Sequence, residues 1–190
     1  MAPPTVAESR PAPPPPPSTG VVSVRLRGWI DLDLVMREIL FDGNEARLRL
    51  DIIVANTGTG GARDIALEAL TLNGGDNQAA ELATFFGRPA AGQVAIPELG
   101  PHGDTLLSHE LTVPRGAIRA YEAQGRTLFV PIVALNASYR TAAGEGRTSA
   151  AFLVGRDVPG SDKLAPLLLP EGAGRQLGLG VRRLEEAVRR

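Results

Sequence analysis

Cysteine is absent from these 190 residues. That excludes disulfides, thiolate metal sites, cysteine nucleophiles and lipidation through a thiol. It leaves the compartment open, because a secreted domain of this size can fold without bridges. Lysine is nearly absent too: Lys163 is the only one, and the other basic residues are arginines. With so much alanine and glycine, this points to a GC-rich coding sequence and a bacterial source. Aromatic residues make up 4%, and no aromatic-lined sugar cleft is evident. The net charge is −1 at pH 7, so no strong charge sign pulls the chain toward nucleic acid or an anionic membrane. No apolar run approaches the ~20 residues that span a bilayer as a helix. Met1 leads into prolines and not into the apolar stretch of a signal peptide.

What is present is ordinary for one folded domain with a real core: 43% hydrophobic residues in a chain of suitable length. Half of the 16 prolines lie before Gly20. Ordering each residue costs roughly 1–2 kcal/mol of backbone entropy, and "MAPPTVAESRPAPPPPPSTG" has little apolar surface to bury in return. Residues 1–20 therefore read as a disordered, polyproline-II-rich linker; a ligand for a proline-binding domain is the functional alternative. Residues 21–157 read as a β-sandwich domain, and 158–190 as an extension that packs partly on it.

From Val21 the pattern alternates with period two, the signature of half-buried strands. "VVSVRLR" alternates, and in "WIDLDLVM" Ile30, Leu32 and Leu34 share one face with Asp31 and Asp33 opposite. "FDGNE" supplies a hairpin turn. "RLRLDIIV" sets Leu48, Leu50, Ile52 and Val54 against Arg47, Arg49 and Asp51. "NTGTGG" breaks that strand and "ARDIALEALTL" resumes as another. "NQAAELATFFGRP" fits a short helix, capped by Asp76 or Asn77 and ended at Gly87. "GQVAIPELGPHG" reads as a strand and turn, and "TLLSHELTV" as a strand stopped by Pro114. "TLFVPIVALNASY" suits a central strand buried on both faces, with a bulge or an edge position at Pro131. "GEG" turns the chain and "RTSAAFLVG" completes the set. About seven to eight antiparallel strands with little helix argue for an all-β, immunoglobulin-like sandwich. "KLAPLLL" should lie against it. "VRRLEEAVRR" has the spacing of a short amphipathic helix, with Val181, Leu184 and Val188 on one side.

Candidate sites are few. Gly58 and Gly60 fit two positions of a dinucleotide loop, but Arg63 occupies the third, and a strand-like segment follows where a helix is required. The cluster reads as a corner between strands. His102, Asp104, His109 and Glu110 are a candidate for zinc chemistry, because carboxylates accompany the only two histidines. His102 lies in a turn, and His109 is expected on the polar face of its strand, which favours a solvated pair. Asp31 and Asp33, about 7 Å apart on one strand face, could serve in glycoside hydrolysis or hold calcium; outward charges are the default. Ser108 and His109 project to opposite faces and cannot pair. "NAS" at Asn136 matches a glycosylation sequon within a buried strand. Trp29 is expected as a core or rim anchor, and the Tyr139 hydroxyl as a tie at a corner. No residue is assigned a catalytic, cofactor-binding or metal-ligating role.

The stretch "LRLDIIVANTGTGGARDIALEALTL", with "LFVPIVALNASYR…GRTSAAFLVGR" as a closing strand pair, resembles bacterial immunoglobulin-like modules of the CARDB kind, from about Trp29 to Arg156. It is also similar to bacterial proteins in which a proline-rich linker joins membrane helices to a C-terminal sandwich. The resemblance implies a β-sandwich, an envelope setting and no catalytic residues to transfer. The expected function is a non-enzymatic accessory or binding module. It would meet a protein through a sheet edge or the end loops "NTGTGG" and Leu72 to Gly92, with no nucleic acid and with a membrane reached only through a tether outside this chain. The alternatives are a metal-dependent hydrolase using His102, His109 and Asp104, and a purely structural spacer.

Overall fold

The computed structural model describes residues 26–185 and 188–189. The proline-rich segment 1–20 and most of "VVSVRLR" lie outside the described residues. Leu26 and Arg27 are irregular, so the first strand starts at Ile30.

The chain runs through β1 (Ile30–Asp42), β2 (Glu45–Asn56), β3 (Ala62–Asn73), α1 (Gln78–Gly87), β4 (Val94–Leu99), β5 (Asp104–Pro114), β6 (Ala120–Ala123), β7 (Arg126–Phe129), β8 (Pro131–Thr141) and β9 (Gly144–Arg156). Four short strands follow: β10 (Leu167–Leu168), β11 (Ala173–Gln176), β12 (Leu179–Arg183) and β13 (Val188–Arg189). The first sheet has the order β11-β1-β2-β5; the second has β12-β9-β8-β3-β4, with β13 also on β9. A small third sheet is ordered β10-β7-β6. β1 and β2 lie side by side, the chain crosses to the second sheet for β3 and β4, returns to lay β5 beside β2, and crosses again for β8 and β9. This is an antiparallel, all-β sandwich with immunoglobulin-like connections.

Local chemistry explains the turns. At Gly43 φ is 98°, and the Asp42 carboxylate accepts from the backbone N–H of Asn44 (3.2 Å) and Glu45 (3.1 Å). This closes the two-residue β1–β2 hairpin. In β1 the register shifts between Met36 and Glu38. The inward set changes there from Ile30, Leu32, Leu34 and Met36 to Ile39 and Phe41. A bulge of this kind resets the period-two phase. It puts Glu38 opposite Arg49 on the outer face.

The main core lies between the two large sheets. Leu48, Leu50, Ile52 and Val54 of β2 face Ile65, Leu67, Val133, Leu135 and Phe152 across it. The outer face of the second sheet is buried as well. Leu82, Phe85 and Phe86 of α1 pack on Ile132, Ala134 and Ala151 as a second, smaller cluster. β8 is therefore covered on both faces, as its continuous apolar run predicts. The helix ends at Gly87 as expected, and sheet side chains satisfy its last carbonyls. Asn136 Nδ2 donates to the carbonyls of Phe85 (3.4 Å) and Arg88 (2.8 Å), and Arg147 Nη2 donates to that of Phe86 (2.8 Å).

Three expectations need correction. "TLFVPIVALNASY" is two strands and not one. β7 ends at Phe129, and Pro131 opens β8 in a different sheet. A proline lacks the N–H a ladder needs but is tolerated as a strand's first residue. The β8–β9 turn falls at Ala142–Ala143, ahead of "GEG". The C-terminal segment is strand and not helix: Val181 pairs with Val154, and Val188 with Ser149, on the edge of β9. An isolated ten-residue helix is marginal in water, whereas an open sheet edge offers a ready ladder. "KLAPLLL" packs as predicted, with Leu167 buried in the main core and paired to Phe129.

Candidate functional site

The glycine cluster is a corner, and one buried side chain organises it. Asn56 Nδ2 donates to the carbonyls of Gly60 (2.8 Å), Leu99 (3.1 Å) and Gly100 (2.9 Å). Its Oδ1 accepts from the N–H of Trp29 (2.9 Å) and Gly58 (3.1 Å). All of the amide's donor and acceptor capacity is used. The glycines allow two chain segments to touch. A Cβ at Gly60 would lie 2.8 Å from the Leu26 carbonyl carbon, and one at Gly28 would lie 2.6 Å from the Gly61 oxygen. The loop N–H of Gly58 and Gly60 are taken by Asn56 and by the Arg27 carbonyl. Trp29 sits at the rim, half-buried under the Arg27 guanidinium, 4.7 Å from the ring centroid.

The histidine and carboxylate group does not converge. His102 occupies a turn with φ 58°. Asp104 and His109 are five residues apart on β5, about 17 Å along the strand, and on opposite faces. His109 does not point to the polar side as expected. Positions 107, 109 and 111 differ by two, so on a strand they share a face; His109 stands half-buried beside Leu107 and Leu111, opposite buried Leu50. Burial pushes its imidazole below the ordinary value. Among the described residues no group of three His, Asp or Glu side chains could hold a metal ion.

The outer face of the first sheet is a lattice of ion pairs. Ser108 Oγ donates to Asp51 Oδ1 (2.8 Å), and Arg37 Nε to Asp51 Oδ2 (2.6 Å). The Ser108 bond and then the Arg37 bond hold this buried carboxyl below its usual range, against the cost of burial. Glu38 is held low by Arg175 (2.6 Å) and Arg49 (2.9 Å), again against burial; Arg49 also donates to Glu110 (2.8 Å). Asp31 accepts from Arg183 (3.0 Å), and Asp33 accepts from the N–H of Leu34 (2.8 Å). Asn136 of the sequon is fully buried. The Tyr139 hydroxyl, expected as a tie at a corner, reaches across the sandwich and accepts from the N–H of Ile30 (3.4 Å).

The feature that sequence reasoning located only in general terms is the open side of the sandwich. β5 pairs with β2 on one flank and with no strand on the other among the described residues. Its eleven residues run without a bulge from Asp104 to Pro114, with no lysine and with proline only at the end. The other edges are blunted: β11 and β12 have four and five residues, and β4 has six with Pro97 among them. Such brevity, charge and proline are how proteins protect edges. β5 carries the exposed acids Asp104 and Glu110, but it is long and presents Leu106, 55% exposed, between them.

Beside β5 the second sheet is open too. β4 covers β3 only from Ala62 to Leu67, leaving Glu68–Asn73 without a strand on that flank; the N–H of Ala69 goes to the Gln93 side chain (3.0 Å). A groove of about 530 Å³ runs between Ala69–Thr71 and His109–Pro114. It adjoins a hollow of about 90 Å³ lined by Leu48, Leu72, Val113, Ile118 and Phe129. The Thr71 hydroxyl is buried there without a hydrogen-bond partner among the described residues. No sequence signal marks β5 as an edge, because that depends on which strands neighbour it in space.

Among the described residues no helix is long and apolar enough to cross a membrane. Compared with known protein families, curated proteins and solved structures, the chain matches none.

Proposed function

We propose that this chain is a non-enzymatic accessory module that binds protein by strand addition at β5. One observation carries the reading: an eleven-residue, unbulged edge strand stands beside an open groove lined by both apolar and polar side chains. An extended segment laid on that edge gains main-chain hydrogen bonds along its length, while alternate side chains enter the groove and set specificity. The CARDB-like resemblance supports an envelope setting. There the proline-rich segment would hold the sandwich away from a membrane anchor outside this chain. The expected contact at "NTGTGG" is less favoured, because that loop's glycines and Asn56 are engaged with each other and with Leu26 to Trp29. About half of the segment Leu72 to Gly92 is α1, which spends its apolar face on the sheet.

The test is selection from a displayed library of random ten-residue peptides, followed by amide exchange on the bound chain. Binders that alternate apolar and polar residues and protect amides between Asp104 and Pro114 are expected. Binders that protect only the 57–61 corner, or none at all, would remove the reading.

A further inference from the structure

The β5 edge accepts a strand of definite pattern, and β5 itself has it. An antiparallel pair of identical strands is related by a two-fold axis perpendicular to the sheet, so the interface is isologous. Directly opposed residues must point to the same side. The register that uses the whole strand therefore sets Asp104 against Pro114 of the second copy and puts His109 on the axis. On the outer side Leu106 then meets Thr112, and Ser108 meets Glu110. On the inner side Thr105 meets Val113, and Leu107 meets Leu111. Nowhere does an acid face an acid across the axis. Glu110 brings its own Arg49, and Asp51, behind Ser108, is already paired with Arg37. The inner residues Leu107, Leu111 and Val113 are half-buried in the single chain, and Leu106 is exposed. Each gains an apolar or polar neighbour suited to it.

We propose that the strand received by β5 is β5 of a second copy of this chain, joining the two four-stranded sheets into one continuous sheet about His109. This rests on the reading of β5 as the interaction surface and names its occupant. The other edges are too short for such a ladder, and the outer ion-pair lattice is already satisfied within one chain.

Three measurements on the full chain test it. Light scattering should give twice the 20.0 kDa chain mass at tens of micromolar, within the range expected of a modest interface. The double variant Leu106→Lys with Thr112→Lys opposes like charges at both ends of the ladder and should weaken the dimer at least ~10-fold. Leu106→Lys with Thr112→Glu opposes unlike charges in the same register and should restore it. The natural lack of cysteine allows the third: oxidised His109→Cys should cross-link to itself, because residues on the axis have Cα atoms about 4.5–5.5 Å apart. Leu107→Cys should not, since its two copies lie about 14 Å apart.

A single-chain mass throughout, equal effects of the two double variants, or equal cross-linking at 107 and 109 would overturn the proposal. If the chain is single and peptides still protect Asp104–Pro114, the dimer falls and the strand-addition reading stands. If β5 neither dimerises nor takes a peptide, both fall.

Discussion

The Tyr139 hydroxyl stands 3.4 Å from the amide nitrogen of Ile30, 109 positions earlier in the chain. Tyr139 lies on β8 of the second sheet, and Ile30 opens β1 of the first. The same hydroxyl is 3.4 Å from Thr148 Oγ1, which donates to the Ile30 carbonyl at 2.8 Å. Both backbone groups of Ile30 are thus satisfied across the sandwich by side chains.

Replacing Tyr139 by Phe keeps the ring and removes the hydroxyl's bond to Ile30 across the sheets, while the Thr148 bond to the Ile30 carbonyl remains. The expected loss is about 1 kcal/mol, read from urea unfolding. Gly146→Ala should cost more, because a Cβ there would enter the Tyr139 ring.

Asn56→Ala should cost about 3 kcal/mol or more. It leaves the carbonyls of Gly60, Leu99 and Gly100 and the N–H of Trp29 and Gly58 without this partner, and the site is buried. Asn56→Asp should also destabilise, since a carboxylate accepts but cannot donate to three carbonyls. Thermal unfolding of both variants checks this.

The satellite core predicts local behaviour. Phe85→Ala should cost roughly 3–5 kcal/mol of helix docking, since Phe85 is one of three buried side chains that α1 contributes. Amide exchange should rise in Gln78–Gly87 well before it rises in β2, because the two apolar clusters are separate.

His109 sets an acid limb. Burial lowers its folded-state value from 6.5, so the unfolded chain takes up the proton first as pH falls. Its contribution is full above pH 6.5 and is lost as pH drops through the lowered value. The melting temperature should decline as pH falls below about 6.5, and His109→Gln should flatten that decline. Asp51, Glu38 and Glu68 are held low and act below this window.

Much of the fold was legible because strand periodicity is local. Leu48, Leu50, Ile52 and Val54 announce their face, Asp42-Gly43 its hairpin, and Gln78–Gly87 its helix with aromatic residues toward one side. The site was legible only as "a sheet edge". The same period sets the His109 imidazole with Leu107 and Leu111 on the inner side of β5, not on its polar side.

Composition and alternation alone determined that this chain folds as antiparallel β around an apolar interior, since side-chain direction follows from backbone period. Which strands neighbour one another was decided in three dimensions. Tertiary pairing turned the helix-like C-terminal pattern into edge strands on β9, split the chain between sheets at Pro131, and left one flank of β5 without a strand among the described residues. The reason is that a strand's hydrogen-bonding edges are satisfied by residues far away in sequence, about which the local pattern carries no information.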